Sequence, residues 1–204
     1  GYNGFRSWEA PLRVWDWVLK VNLMSVIHGI HYFMPIMLKQ DTQAHIINTA
    51  SSAGVITNAY GIPYAVSKHG VMALTESLFL ELQSYTTKIK VSVLCPGIVK
   101  TDILNSSERS RPADVPIPQR ISQEESVFIE AQKRYIEQSQ DPQEIGDLVL
   151  EAIKEERLYI MTTRDFDKDI EQRMKNLLER KNPIAQKPSR KFIDILHDLS
   201  RENG

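Results

Sequence analysis

The stretch 45-HIINTASS-52 begins apolar and β-branched and ends in small hydroxyl residues, with Gly54 just beyond. It reads as a short buried strand running into a loop. Downstream, residues 64–85 place Val71, Met72, Leu74, Leu78 and Leu82 at near-helical spacing, which predicts an amphipathic helix. The stretch 89-IKVSVLCPG-97 is again β-branched and is stopped by Pro96-Gly97, which predicts a second strand. Strand, helix, strand implies two parallel strands joined by a crossover.

Working outward, Pro11 to about Gln40 reads as a long helix. Pro11 suits its first turn, and Leu12, Trp15, Val18, Val21, Asn22, Ser25 and Val26 trace one face. Pro35 is expected to kink it near the end. Residues 101–121 are polar and proline-rich, with Pro112, Pro116 and Pro118. Ser122 and Glu125 form a capping-box pattern opening a helix to about Ser139. Asp141-Pro142-Gln143-Glu144 is a stronger helix start, with an N-cap, a proline and an acid in order. That helix should run to about Glu156, followed by a third strand, 158-LYIMTT-163. A helix near 166–181, a turn at Asn182-Pro183 and a helix near 189–202 complete the chain. The fold class is therefore α/β, with a parallel sheet covered by helices. The expected organisation is one domain over 1–204, with a core at 1–163, a substrate-loop insert at 102–141 and a helical tail at 164–204.

Composition narrows the partners. Lys and Arg number 25 against 26 Asp and Glu, so nothing suggests nucleic acid or an anionic membrane as the main partner. No run of 18 apolar residues occurs, so no transmembrane helix is expected. No signal-peptide pattern opens the chain. The single cysteine, Cys95, cannot close an intrachain disulfide, which suits a reducing, cytoplasm-like compartment.

Functional groups in a parallel sheet gather at the carboxyl ends of the strands. Those ends are here Thr49-Ala50-Ser51 and Cys95-Pro96-Gly97. Beside them lies 60-YGIPYAVSKHGV-71, in which Tyr64 and Lys68 stand four residues apart on one helical face. A tyrosine alone, with a pKa of about 10, is a poor base at neutral pH. A cation within roughly 4–6 Å favours the phenolate. Of the seven tyrosines only Tyr64 has a lysine four residues on. With a hydroxyl such as Ser51 nearby, the set suits proton transfer at a substrate oxygen. Such chemistry usually accompanies hydride transfer, which requires a nicotinamide.

Four segments, 19-LKVNLMSVIHG-29, 48-NTASSAG-54, 64-YAVSK-68 and 96-PGIVKT-101, occur in order. Together they resemble the central signature of the short-chain dehydrogenase/reductase family, and the resemblance covers nearly all of residues 10–163. It implies a Rossmann-like doubly wound sheet and an oxidoreductase that interconverts a secondary alcohol and a ketone with NAD or NADP. It implies that Tyr64 is the acid/base, that Lys68 lowers its pKa and binds the nicotinamide ribose, and that Ser51 polarises the substrate oxygen, with Ser52 the adjacent alternative. Asn22 would hold a water linking Lys68 to solvent. Pro96, Gly97, Ile98 and Thr101 would line the nicotinamide, Thr101 near its carboxamide or as a helix cap. The substrate expected is a small, apolar alcohol or ketone under a lid formed by 102–141, with Ile103, Leu104 and Ile121 as apolar contacts. Relatives pair through the two long helices, so a homodimer or homotetramer is expected.

The family's opening strand, its glycine-rich turn and its N-N-A-G loop have no counterpart in these 204 residues. The resemblance therefore implies an N-terminally truncated member that lacks the adenosine side of the cofactor site. Strand 45–51, interior in the family, would then have an open apolar edge. Two other readings remain: a non-catalytic binding or scaffold protein of the same fold, and a serine hydrolase built on Ser51, although no G-x-S-x-G elbow is present. Cys95 is expected to be a buried structural thiol, Tyr60 a packing or pocket residue, and His28, His31 and His69 to lack metal or catalytic roles. The basic residues Arg180, Lys181, Lys187, Arg190 and Lys191 read as a solvated tail.

Overall fold

The fold was established from a computed structural model that describes residues 6–57, 61–85, 88–116, 123–184 and 188–202. Tyr60, Ile121, Ser122 and Lys187 lie outside the described residues, as does the side chain of Glu125 and with it the expected capping box.

Three strands form a parallel sheet in the order β1 (Ala44–Thr49), β2 (Ile89–Cys95), β3 (Tyr159–Met161). Ala44 pairs with Ile89 and Thr49 with Leu94, and Val93 to Cys95 pair with Tyr159 to Met161. β2 is central. Val91, Val93 and Cys95 are almost wholly buried, and burying each such side chain stabilises by about 1.5–3 kcal/mol. β1 is an edge strand among the described residues.

α1 (Leu12–Leu19), a π-helical turn (Lys20–Met24) and α2 (Ser25–Gln40) form one continuous helical run. The helix carries on through Pro35 to Gln40, and a π-turn lies upstream of it. The predicted face also shifts. Val14 and Val18 are buried, whereas Leu12 and Val21 are exposed. The extra residue in the π-turn rotates α1 relative to α2, which a simple 3.6-residue count cannot anticipate. The run of 29 residues contains an 18-residue window of mean hydropathy 1.3, so it is long and apolar enough to cross a membrane by length and composition. The expectation of no such helix is corrected on that count, because scattered polar residues break an apolar run without lowering its average far. Here α1 and the π-turn lie against α3 (Ile62–Ser84), and Tyr32, Phe33 and Ile36 of α2 stay exposed.

α3 buries Pro63, Ser67, Val71, Thr75 and Leu78, a single stripe along the sheet. Its first turn starts two residues before the predicted one, from Gly61 in the left-handed region (φ 72°) and Pro63 inside the first turn. After β2 comes α4 (Ile103–Arg109), inside the polar, proline-rich stretch. It has no apolar period of its own. Its first turn is tied by the Asp102 carboxylate, which accepts from Asn105 Nδ2 at 2.6 Å and from the Arg109 guanidinium. α5 (Gln123–Glu137), α6 (Pro142–Lys154), α7 (Asp167–Leu178) and α8 (Arg190–Glu202) follow as predicted within a few residues. Asp141 caps α6, accepting from the Gln143 amide at 2.8 Å. α5 and α8 form a satellite core in which Phe192 meets Phe128 and Tyr135 edge-on at 5.3 and 5.7 Å.

Candidate active site

The carboxyl end of the sheet meets the start of α3. β1 ends at Thr49, and the chain then turns through Ser51 into a 3-10 turn, Ser52–Gly54. Ser51 is extended, and its Oγ accepts from the Ala53 amide at 3.2 Å. This turn lies hard against α3: a Cβ on Gly54 would stand 2.8 Å from the Lys68 carbonyl oxygen. Only glycine permits the approach that brings Ser51 beside Tyr64 and Lys68. Ser52, the alternative hydroxyl, is buried inside the turn, and its amide donates to the Pro96 carbonyl at 2.8 Å.

Lys68 Nζ donates to the Thr49 carbonyl at 2.9 Å and lies 5.7 Å from the centre of the Tyr64 ring. Tyr64 packs against the buried cluster of Val14, Val18 and Val115, as does Trp17. Burial raises the Tyr64 pKa, while a hydrogen bond with the Ser51 side chain pulls the other way. Burial also lowers the pKa of Lys68, opposed by the Cys95 thiol. For Tyr64, desolvation of the phenolate by burial is the larger of the two causes and the Ser51 hydrogen bond the smaller.

Asn22 sits in the π-turn, and its Nδ2 donates to Ser67 Oγ at 3.1 Å, while the Ser67 hydroxyl donates to the Tyr64 carbonyl at 2.6 Å. The structure thus links Asn22 to α3 at the residue before Lys68, through a buried serine that belongs to no position singled out in the sequence. Gly70, one turn on, gives the π-turn its room, since a Cβ there would meet Leu23 at 2.8 Å.

Pro96 and Gly97 follow β2 directly. Ile98 is 40% exposed, and Thr101 is exposed with its hydroxyl 3.3 Å from the Val99 carbonyl. Thr101 does not cap α4, because that position belongs to Asp102. Cys95 is buried, its Sγ 3.9 Å from Met72 Sδ, and its pKa is pushed up to about 11 by burial.

The histidines stay apart from this chemistry. His28 meets the Tyr32 ring at a tilt and His31 meets it edge-on, with ring centres 6.4 and 4.8 Å apart, and the described residues hold no cluster of three metal-ligating side chains. His69 Nδ1 faces the Ala65 carbonyl at 3.0 Å. Among the described residues no histidine bonds Ser51, which leaves a serine-hydrolase arrangement without its base. Clefts of about 280 and 190 Å³ open elsewhere, between α3 and the amino end of β2 and beneath α2. Ser51, Tyr64 and Lys68 line neither. Val115 is invisible to motif reading because it belongs to no motif; only the fold brings it into the cluster on which Tyr64 packs.

The model of the short chain dehydrogenase family matches residues 4–112, and the chain belongs to that family. A CLA biosynthesis dehydrogenase/reductase from Lactiplantibacillus plantarum is 34% identical over 177 residues, covering 85% of this chain and 61% of that protein. The NAD(+) 15-hydroxyprostaglandin dehydrogenase of Rattus norvegicus is 37% identical over 111 residues, covering 53% of this chain and 39% of that protein. Among solved structures, a short chain dehydrogenase/reductase from Burkholderia phymatum in complex with NAD is 33% identical with a TM-score of 0.84, covering 93% of this chain and 67% of that one. The chain spans about six-tenths of the length of the first relative and four-tenths of the second.

Proposed function

We propose that this chain carries the acid/base part of an NAD(H)- or NADP(H)-dependent oxidoreductase that interconverts a secondary alcohol and a ketone. The observation that carries the reading is the convergence of Tyr64, Lys68 and Ser51 at the carboxyl end of β1. In the reductive direction Tyr64 gives its proton to the substrate oxygen, and Ser51 hydrogen-bonds that oxygen. Lys68 and Asn22 lead the replacement proton in from solvent.

The residues present fit a nicotinamide and its ribose. Lys68 has three N–H donors and commits one of them to Thr49, which leaves others for ribose hydroxyls. Ile98 offers an exposed apolar face, and Thr101 a hydroxyl for the carboxamide. When bound, the nicotinamide supplies the hydride that side chains cannot. The apolar cluster of Val14, Val18 and Val115 on which Tyr64 packs supports an apolar substrate, and the exposed Tyr32, Phe33 and Ile36 of α2 support pairing of copies through the long helices.

The test is Tyr64→Phe. Turnover should fall by about 10²–10⁴-fold while cofactor affinity stays near the native value. A variant that kept most of its kcat would remove Tyr64 from the chemistry.

A further inference from the structure

Beyond the motif residues, the loop after β2 is held from the far side of the sheet. The Pro96 carbonyl accepts from Ser52, and the Lys100 amide donates to the Gln140 carbonyl at 2.8 Å. Val99 and Gln140 form an isolated parallel bridge. The Gly97 amide donates to Thr162 Oγ1 at 3.0 Å, just beyond β3. Gln140 then closes on Thr162 at two points, its Nε2 donating to the Thr162 carbonyl at 2.7 Å and its Oε1 lying 2.9 Å from Thr162 Oγ1.

The direction of this chain of hydrogen bonds comes from proton count. A threonine hydroxyl has one proton. The Gly97 amide must meet a lone pair, so the proton goes to Gln140 Oε1. The polarity then runs from Gly97 N–H to Thr162 O–H to the Gln140 amide, which also fixes which end of that amide faces which way. Thr162 is 6% exposed, so water does not substitute freely for either partner. The loop has no slack at this point: a Cβ on Gly97 would stand 2.7 Å from Thr163 Cγ2 and 3.3 Å from Phe166. Gln140 also precedes the Asp141 cap of α6, so its backbone belongs to a fixed helix start.

We propose that Gln140 and Thr162 are positioning residues for the oxidoreductase reaction, setting the Gly97 amide and hence the placement of Ile98 and Thr101 at the cofactor. This rests on the oxidoreductase reading of the site. Their loss should act on the loop alone, because the Asp141 cap and the β2–β3 pairing do not need either side chain.

The experiment compares Thr162→Val, which keeps the shape and deletes the hydroxyl, with Thr162→Ser, which keeps the hydroxyl, and adds Gln140→Leu. Two quantities are read: exchange of the Gly97 amide, and the KM for NADH and NADPH against the KM for the carbonyl substrate. Thr162→Val and Gln140→Leu should each speed Gly97 exchange and raise the cofactor KM about five- to tenfold, the scale of one lost hydrogen bond. The KM of the carbonyl substrate should stay within about twofold, and Thr162→Ser should return both readouts to near-native values. Unchanged exchange in Thr162→Val and Gln140→Leu overturns the proposal, as does a Thr162→Ser variant as impaired as Thr162→Val. Faster exchange with an unchanged cofactor KM overturns it too, by leaving the clamp a purely structural feature. A wild-type protein that neither binds nor oxidises NADH or NADPH overturns the oxidoreductase reading itself, and Gly97 exchange then decides the clamp separately.

Discussion

Gly54→Ala tests the packing that assembles the site. The new methyl carbon would stand 2.8 Å from the Lys68 carbonyl oxygen and 3.1 Å from its carbon. Both are backbone atoms in the middle of α3, so no side chain can swing aside. Reaching ordinary contact at 3.4 Å requires the 3-10 turn and the helix to separate by about 0.6 Å. Overpacking of this kind costs about 1–3 kcal/mol, or a Tm lower by about 2–12 °C in a chain of this size. The separation also carries Ser51 away from Tyr64 and Lys68. A misplacement of that order should lower kcat by about tenfold to a hundredfold. The assay is urea denaturation of Gly54→Ala beside Gly146→Ala. In α6, Gly146 has open space around the added methyl, so that variant should be more stable by about 0.5–1 kcal/mol. A Gly54→Ala protein within about 0.5 kcal/mol of wild type, inside the usual spread of neutral surface changes, would show that the turn is not pressed on α3, and the account of how Ser51 is placed would fall with it.

Other perturbations probe separate parts. Thr75 is fully buried, accepting from Asn48 Nδ2 at 3.1 Å and donating to the Val71 carbonyl; Thr75→Val should cost about 1–3 kcal/mol by stranding the Asn48 amide, and a neutral result in denaturant would refute it. Cys95, with its pKa pushed up to about 11, should resist a disulfide reagent at about pH 8 in the native state and react once unfolded; rapid native labelling would contradict its burial. Burial lowers the His45 pKa, with Glu156 opposing and Lys90 adding to it. Because the folded value is depressed, the contribution of His45 is present above about pH 6.5 and is lost as pH falls through the folded value. His45→Gln retains a donor toward Ser92 Oγ, which lies 2.7 Å from His45 Nε2, and should flatten the pH dependence of stability there; an unchanged slope would mean another group titrates.

The sequence by itself determined the alternation of strands and helices. Ile46 and Ile47, then Val91 and Val93, announce strands, of which only the second is buried along its length, and Asp141-Pro142 announces a helix start, through forces that act within a few residues. It also made Tyr64 and Lys68 neighbours, since four residues is about one helical turn. What it could not determine depends on groups distant along the chain. The π-turn at Lys20–Met24 breaks the period from which the α1 face is read. Ser67 reaches Asn22 across 45 positions, and Val115 reaches Tyr64 only because the chain folds back over α1. The Tyr64 pKa is likewise a property of the folded environment. Burial beside the cluster of Val14, Val18 and Val115 raises it. Local periodicity is written in neighbouring residues, but desolvation is set by whatever the tertiary structure packs around a group.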